Sequence, residues 1–65
     1  MNEEYRETTI KMEEKGVDTD YIIGWQGGYL GHPEREEQRV TEAYTAGYED
    51  GQAHKTDGYE AWIKS

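Results

Sequence analysis

The 65-residue chain has no cysteine, no phenylalanine, a single proline and two histidines. Without cysteine there is neither a disulfide nor a thiolate zinc site, the two staples that most often reinforce very small domains. A domain of this size buries only about 60% of the surface its unfolded chain exposes, so its stability margin is small. Oligomerisation or a partner is the remaining common support. Long apolar runs are missing too. The longest uncharged stretch, residues 21–33, is too short to cross a bilayer, and Met-Asn-Glu-Glu-Tyr at the start has no basic segment followed by an apolar run. These features predict a soluble, cytoplasmic protein with no membrane partner.

Basic residues are scarce. Seven Lys and Arg stand against fifteen Asp and Glu, a net charge of −8, which opposes attraction to nucleic acid or anionic lipid and favours a protein with a basic surface. High charge with low hydrophobicity would suggest disorder, but six Tyr, two Trp and regularly spaced glycines point instead to a folded core with frayed ends.

What the chain does contain is a repeat. Tyr-x-x-Gly-aromatic-x-x-Gly occurs at Tyr21 to Gly28 and again at Tyr44 to Gly51, pairing Tyr21 with Tyr44, Gly24 with Gly47, Trp25 with Tyr48 and Gly28 with Gly51. Glycines four apart on a helix lie one above the other and clear a strip on which a second backbone can rest. The same logic operates in membrane helix pairs, although in water the flanking aromatics add a burial term. The alternative is that these are loop glycines in a chain rich in Tyr and Gly.

Capping signals divide the chain into an all-α fold, a small helical hairpin or three-helix arrangement within one domain. A first helix is expected at about 2–15, with Glu3, Glu4 and Glu7 near its start, Lys11 and Lys15 near its end and Gly16 as its stop. Its face of Tyr5, Thr8, Thr9 and Met12 is either packed or only loosely docked. Asp18, Thr19 and Asp20 are N-cap residues for a second helix at about 19–30. Gly31, His32 and Pro33 make a break, and Pro33 with Glu34, Glu36 and Glu37 predicts a third helix at about 33–52. Val40, Tyr44, Gly47 and Gly51 would form one of its faces. The short break predicts antiparallel neighbours, so residues 17–53 form a glycine-packed hairpin. In the tail, residues 54–65, Tyr59, Trp62 and Ile63 have the spacing of a terminal helical turn laid over the hairpin, with a frayed end as the alternative.

The segment Gly24 to Gly31, Gly-Trp-Gln-x-Gly-x-x-Gly, followed by Tyr-x-x-Gly-Tyr-Glu at Tyr44 to Glu49, resembles the ribosome modulation factor family of small bacterial two-helix proteins. The resemblance covers residues 21–53 and is carried by Gly24, Trp25, Gly28, Tyr44, Gly47 and Tyr48. It implies a fold of two aromatic and glycine-rich helices and binding to the small ribosomal subunit during ribosome hibernation. This chain lacks a counterpart of the family's Cys-Pro-Tyr loop and is acidic where the family is basic, which argues against direct contact with ribosomal RNA.

No constellation points to catalysis. There is no nucleophile motif, no Ser or Thr beside a histidine, and little room for a water-excluding pocket. A metal site from His32, Glu36 and His54 is excluded if the third helix separates the histidines by roughly 30 Å at 1.5 Å per residue. Asp18, Thr19 and Asp20 lack EF-hand spacing and are better read as caps. Neither metal nor cofactor is expected.

Ile22, Ile23, Trp25, Tyr29 and Leu30 are spread around the second helix, more than one neighbour can cover. This predicts either burial beneath the first helix and the tail, or an interface. The expected partner-binding residues are Trp25, Tyr29 and Tyr48 as apolar anchors with Glu36 and Glu37 as steering charges; Tyr21, Gly24, Gly28, Tyr44, Gly47 and Gly51 are expected to pack the helices. The carboxylates Glu13, Glu14, Asp18, Asp20, Glu34, Glu36, Glu37, Glu49 and Asp50 either mimic a phosphate array or simply maintain solubility. The resulting expectation is a non-enzymatic regulator or inhibitor of bacterial or phage type that binds a basic protein. A ribosome-associated factor and a structural homo-oligomer are the alternatives.

Overall fold

The computed structural model describes residues 3–33 and 41–63. These form three α-helices, α1 (Glu3–Glu14), α2 (Thr19–Leu30) and α3 (Glu42–Gln52), and a 3-10 turn at Gly58–Trp62. The fold is all-α, with no strand among the described residues beyond one bridge pair, Val17 with Ile63.

Local chemistry sets each boundary. In α1, Glu3 and Glu4 occupy the first turn and Lys11 the last, matching the helix dipole. Thr9 tolerates the helix because its hydroxyl donates to the Tyr5 carbonyl one turn back, at 2.9 Å. Gly16 adopts a left-handed φ of 72°, and the Val17 N–H donates to the Met12 carbonyl at 3.0 Å. This closes α1 in a Schellman-type stop with Met12 and Val17 both in the core. Asp18 caps α2 by accepting from the Asp20 N–H at 2.9 Å. At its other end Gly31 has φ 76°, and the His32 N–H donates to the Gly27 carbonyl at 2.9 Å.

The third helix is shorter than the sequence predicts. It starts at Glu42, not at Pro33, because Thr41 has extended backbone (φ −89°, ψ 167°) and caps the helix through its hydroxyl oxygen, which accepts from the Tyr44 N–H at 3.2 Å. A threonine satisfying the first free N–H groups ends any continuous helix through that point. Val40 and the acidic residues Glu34, Glu36 and Glu37 lie outside the described residues.

The orientation of the helical pair also differs from expectation: α2 and α3 run parallel. Thr41, at the start of α3, donates to the Asp20 carboxylate at the start of α2, at 3.1 Å. At the other end the ring of His54, just past α3, stacks on Tyr29 near the end of α2 with centroids 4.2 Å apart. The end of α2 and the start of α3 therefore lie at opposite ends of the pair, so the break at Gly31 to Pro33 is not a hairpin turn. By contrast α1 is antiparallel to α2, placing Tyr5 against Trp25 at 5.6 Å and Glu4 beside Tyr29.

Parallel pairing brings the two copies of the repeat into register about an approximate two-fold axis. A methyl group on Gly24 would run into the Tyr44 carbonyl, and one on Gly47 into the Tyr21 carbonyl. A methyl on Gly28 would meet the Tyr48 carbonyl, and one on Gly51 the Trp25 carbonyl. Backbone nitrogens follow the same symmetry, with Gln52 N 3.0 Å from the Gly28 position and Tyr29 N 2.8 Å from that of Gly51. At all four glycines the contacts are to backbone, which cannot rotate away. Gly27 is different, since a methyl there would meet only the Tyr48 ring, at 3.9 Å.

That difference yields a direct test by thermal unfolding. Gly24→Ala, Gly28→Ala, Gly47→Ala and Gly51→Ala should each lower stability by about 3 kcal/mol by forcing the helices apart. Gly27→Ala should instead be neutral or stabilise by up to about 1 kcal/mol through helix propensity. Equal effects at all five positions would refute the backbone contact.

Candidate protein-docking surface

The aromatic residues expected to bind a partner are largely engaged within the chain. Trp25 is 1% exposed; its indole N–H donates to the Lys55 carbonyl at 2.7 Å, and its ring packs on Tyr5 and Tyr29. Tyr48 is 6% exposed; its ring stacks on Tyr44 and its hydroxyl donates to the His32 carbonyl. Tyr29 is half-buried among Tyr5, Trp25 and His54, and its hydroxyl donates to Glu4 at 3.0 Å. Trp25 and Tyr48 therefore present almost no surface, which corrects their assignment as anchors. The physical reason is the glycine seam: helices this close carry their aromatics on the flanks, where α1 and the tail cover those of α2. Glu36 and Glu37 lie outside the described residues.

The six residues assigned to helix packing all line the seam. Gly24, Gly28, Gly47 and Gly51 form its floor, and Tyr21 and Tyr44 supply carbonyls to it. Tyr21 is fully buried and donates its hydroxyl to Asp50 of α3 at 2.5 Å. Gly58 of the tail packs against this pair, 3.0 Å from the Tyr21 hydroxyl when a methyl is placed on it. The tail is further fixed by the Asp18 N–H donating to the Trp62 carbonyl at 2.9 Å and by Trp62 stacked on Tyr21 at 6.1 Å.

His32 and His54 follow the ends of parallel helices and so belong to the same end of the bundle, rather than to the two ends of one long helix. Among the described residues, no group of three His, Asp or Glu side chains could hold a metal ion. No described helix is long and apolar enough to cross a membrane.

What remains open is the outward face of α2. Ile23 is 36% exposed and Leu30 53% exposed, two turns apart on the side facing away from the seam, with Gln26 and Gly27 between them. Two shallow grooves run along this face. One is bounded by Tyr5, Ile23, Gln26, Leu30, Pro33 and Tyr44, the other by Glu13, Val17, Thr19, Ile22, Ile23 and Gln26. Both contain Ile23 and Gln26, so they form one trough. Asp20 is the sole charged residue of α2 and sits in its first turn. The sequence held the signal for this surface in the circumferential spread of Ile22, Ile23 and Leu30, but the larger aromatics drew the assignment.

Burial, the hydrogen bond to Asp50 and the negative charges of Asp50 and Asp57 all raise the Tyr21 pKa above its ordinary value. The neutral phenol is thus favoured in the folded state. Its contribution to stability is complete below the unfolded tyrosine pKa of about 10 and declines as pH rises above it. Denaturant midpoints should fall on passing from about pH 9 to about pH 11, and Tyr21→Phe should flatten that slope. An unchanged slope in the variant would contradict the assignment. No family model, curated protein or solved structure matches this chain, so its functional reading rests on its residues and their geometry.

Proposed function

We propose that this chain is a small, non-enzymatic binding protein that regulates or inhibits a protein partner with a basic surface. The observation that carries the reading is the uncharged, partly apolar outward face of α2 on a chain of net charge −8. Long-range attraction would bring a cationic partner to the molecule, and the apolar face would supply contact once water is displaced. The same charge disfavours nucleic acid, anionic membranes and a second copy of the chain. Acidic side chains standing in for phosphates on a nucleic-acid-binding protein are one form this regulation could take.

The second reading is a ribosome-associated factor, supported by the likeness of Gly24 to Gly31 and Tyr44 to Glu49 to ribosome modulation factor. The acidic charge favours a ribosomal protein over ribosomal RNA as the contact in that case.

Affinity capture on the immobilised chain from bacterial lysate should retain a basic protein at low salt and much less of it when salt shortens the Debye length to a few ångströms. Retention of nothing at either salt concentration would contradict the proposal. Co-sedimentation of the chain with small ribosomal subunits would favour the second reading.

A further inference from the structure

We infer that the trough along the outward face of α2 is a docking groove for one amphipathic helix of a partner, with an apolar stripe flanked by lysine or arginine. This rests on the protein-binding reading above and specifies its contact surface.

Three observations select the occupant. The first is continuity and length: the grooves join through Ile23 and Gln26, and the face from Thr19 to Leu30 extends over the twelve residues of α2, about 18 Å at 1.5 Å per residue. That length accommodates about three turns of a second helix. The second is the nature of the walls. Tyr5 comes from α1, Ile23 and Leu30 from α2 and Tyr44 from α3, with the non-helical His32 and Pro33 only at one end, so the floor and the sides flanking it are mainly helices whose interior backbone groups already pair within each helix. An extended peptide would gain no main-chain bonds in such a trough, whereas a helix brings its own.

The third observation is charge. The floor carries no Asp, Glu, Lys or Arg, and Glu13 of α1, exposed, stands at one edge. A helix carrying cations beside its apolar stripe would set Ile23 and Leu30 against leucine-like side chains while an ammonium or guanidinium group approached Glu13 and the net charge of −8 drew it in. A second copy of this chain would instead bring net charge −8 against −8. Isolated exposed isoleucines need no explanation, but Ile23 and Leu30 share one face with no charge between them.

The test uses the full chain and a synthetic amphipathic Leu/Lys peptide of about four turns as probe, with a scrambled peptide of identical composition as control. Binding is read by fluorescence anisotropy and by amide chemical-shift changes. The wild-type chain should bind the amphipathic peptide at least about tenfold more tightly than the scrambled one, with shifts concentrated at Ile22, Ile23, Gln26 and Leu30. The Ile23→Ala/Leu30→Ala variant keeps helix propensity and all charges; it should melt as the wild type does and lose at least about tenfold in affinity. Equal binding of the two peptides, equal affinity of variant and wild type, or shifts centred on α3 would overturn the groove assignment. If the variant still captures the wild type's lysate partner undiminished, the groove assignment fails and the protein-binding reading stands. Capture of nothing by the wild type overturns both.

Discussion

Contact between two helical backbones, with no side chain between them, is the constraint on which the rest of this protein depends. Four glycines in two short helices weaken each helix in isolation, by roughly 0.5 to 1 kcal/mol per residue relative to alanine. The return is an approach close enough for glycine Cα–H groups to point at the carbonyl oxygens of Tyr21, Trp25, Tyr44 and Tyr48 on the opposing helix, a recurrent weak interaction at helix interfaces. Removing side chains from the seam also moves the bulk of the core to its flanks. Tyr21, Trp25 and Tyr29 reach across to Asp50, Lys55 and His54, while Tyr48 reaches the other way to His32.

This arrangement explains how a chain with so few aliphatic residues is held together. Its core is Tyr21, Trp25, Tyr59, Met12, Val17 and Ala43, and the polar ends of Tyr21 and Trp25 find partners in Asp50 and Lys55. No buried side-chain nitrogen or oxygen among the described residues lacks a hydrogen bond, so burying tyrosine here does not leave a polar group stranded. The tail matters because it supplies Lys55 to the indole of Trp25 and Trp62 to the ring of Tyr21. It also positions His54, a non-glycine residue at φ 56°, against Tyr29; the stacking offsets part of the cost of that backbone conformation.

Much of this was legible in the sequence. Asp18 as a cap, Gly16 and Gly31 as stops, and the glycine faces of Tyr21 to Gly28 and Tyr44 to Gly51 follow from rules in which one residue type fixes one local geometry. The direction of pairing did not follow from such a rule. Glycine strips can meet in either sense, and what shows the parallel one is the pairing of Thr41 with Asp20 at one end and of His54 with Tyr29 at the other. The start of α3 was misplaced because Pro33 and the acids after it suit a first helical turn, whereas the structure caps the helix at Thr41. The exposed face of α2 was hidden for a related reason. Aromatic size suggests an anchor, yet in a core with glycine at its centre the aromatics are what fills the interior, and aliphatic side chains, Ile23 and Leu30 of α2 with Ile10 and Ile63, are left outside.

The parallel glycine seam can be read most directly from proton–proton NOEs in the intact chain. The account predicts cross-peaks from Gly24 Hα to backbone protons of Tyr44 and Tyr48, matched by cross-peaks from Gly47 Hα to Tyr21 and Trp25, in keeping with the backbone contacts at these positions. Cross-peaks that instead pair Gly24 with Gly51 and Gly28 with Gly47 would mean antiparallel helices and would contradict it.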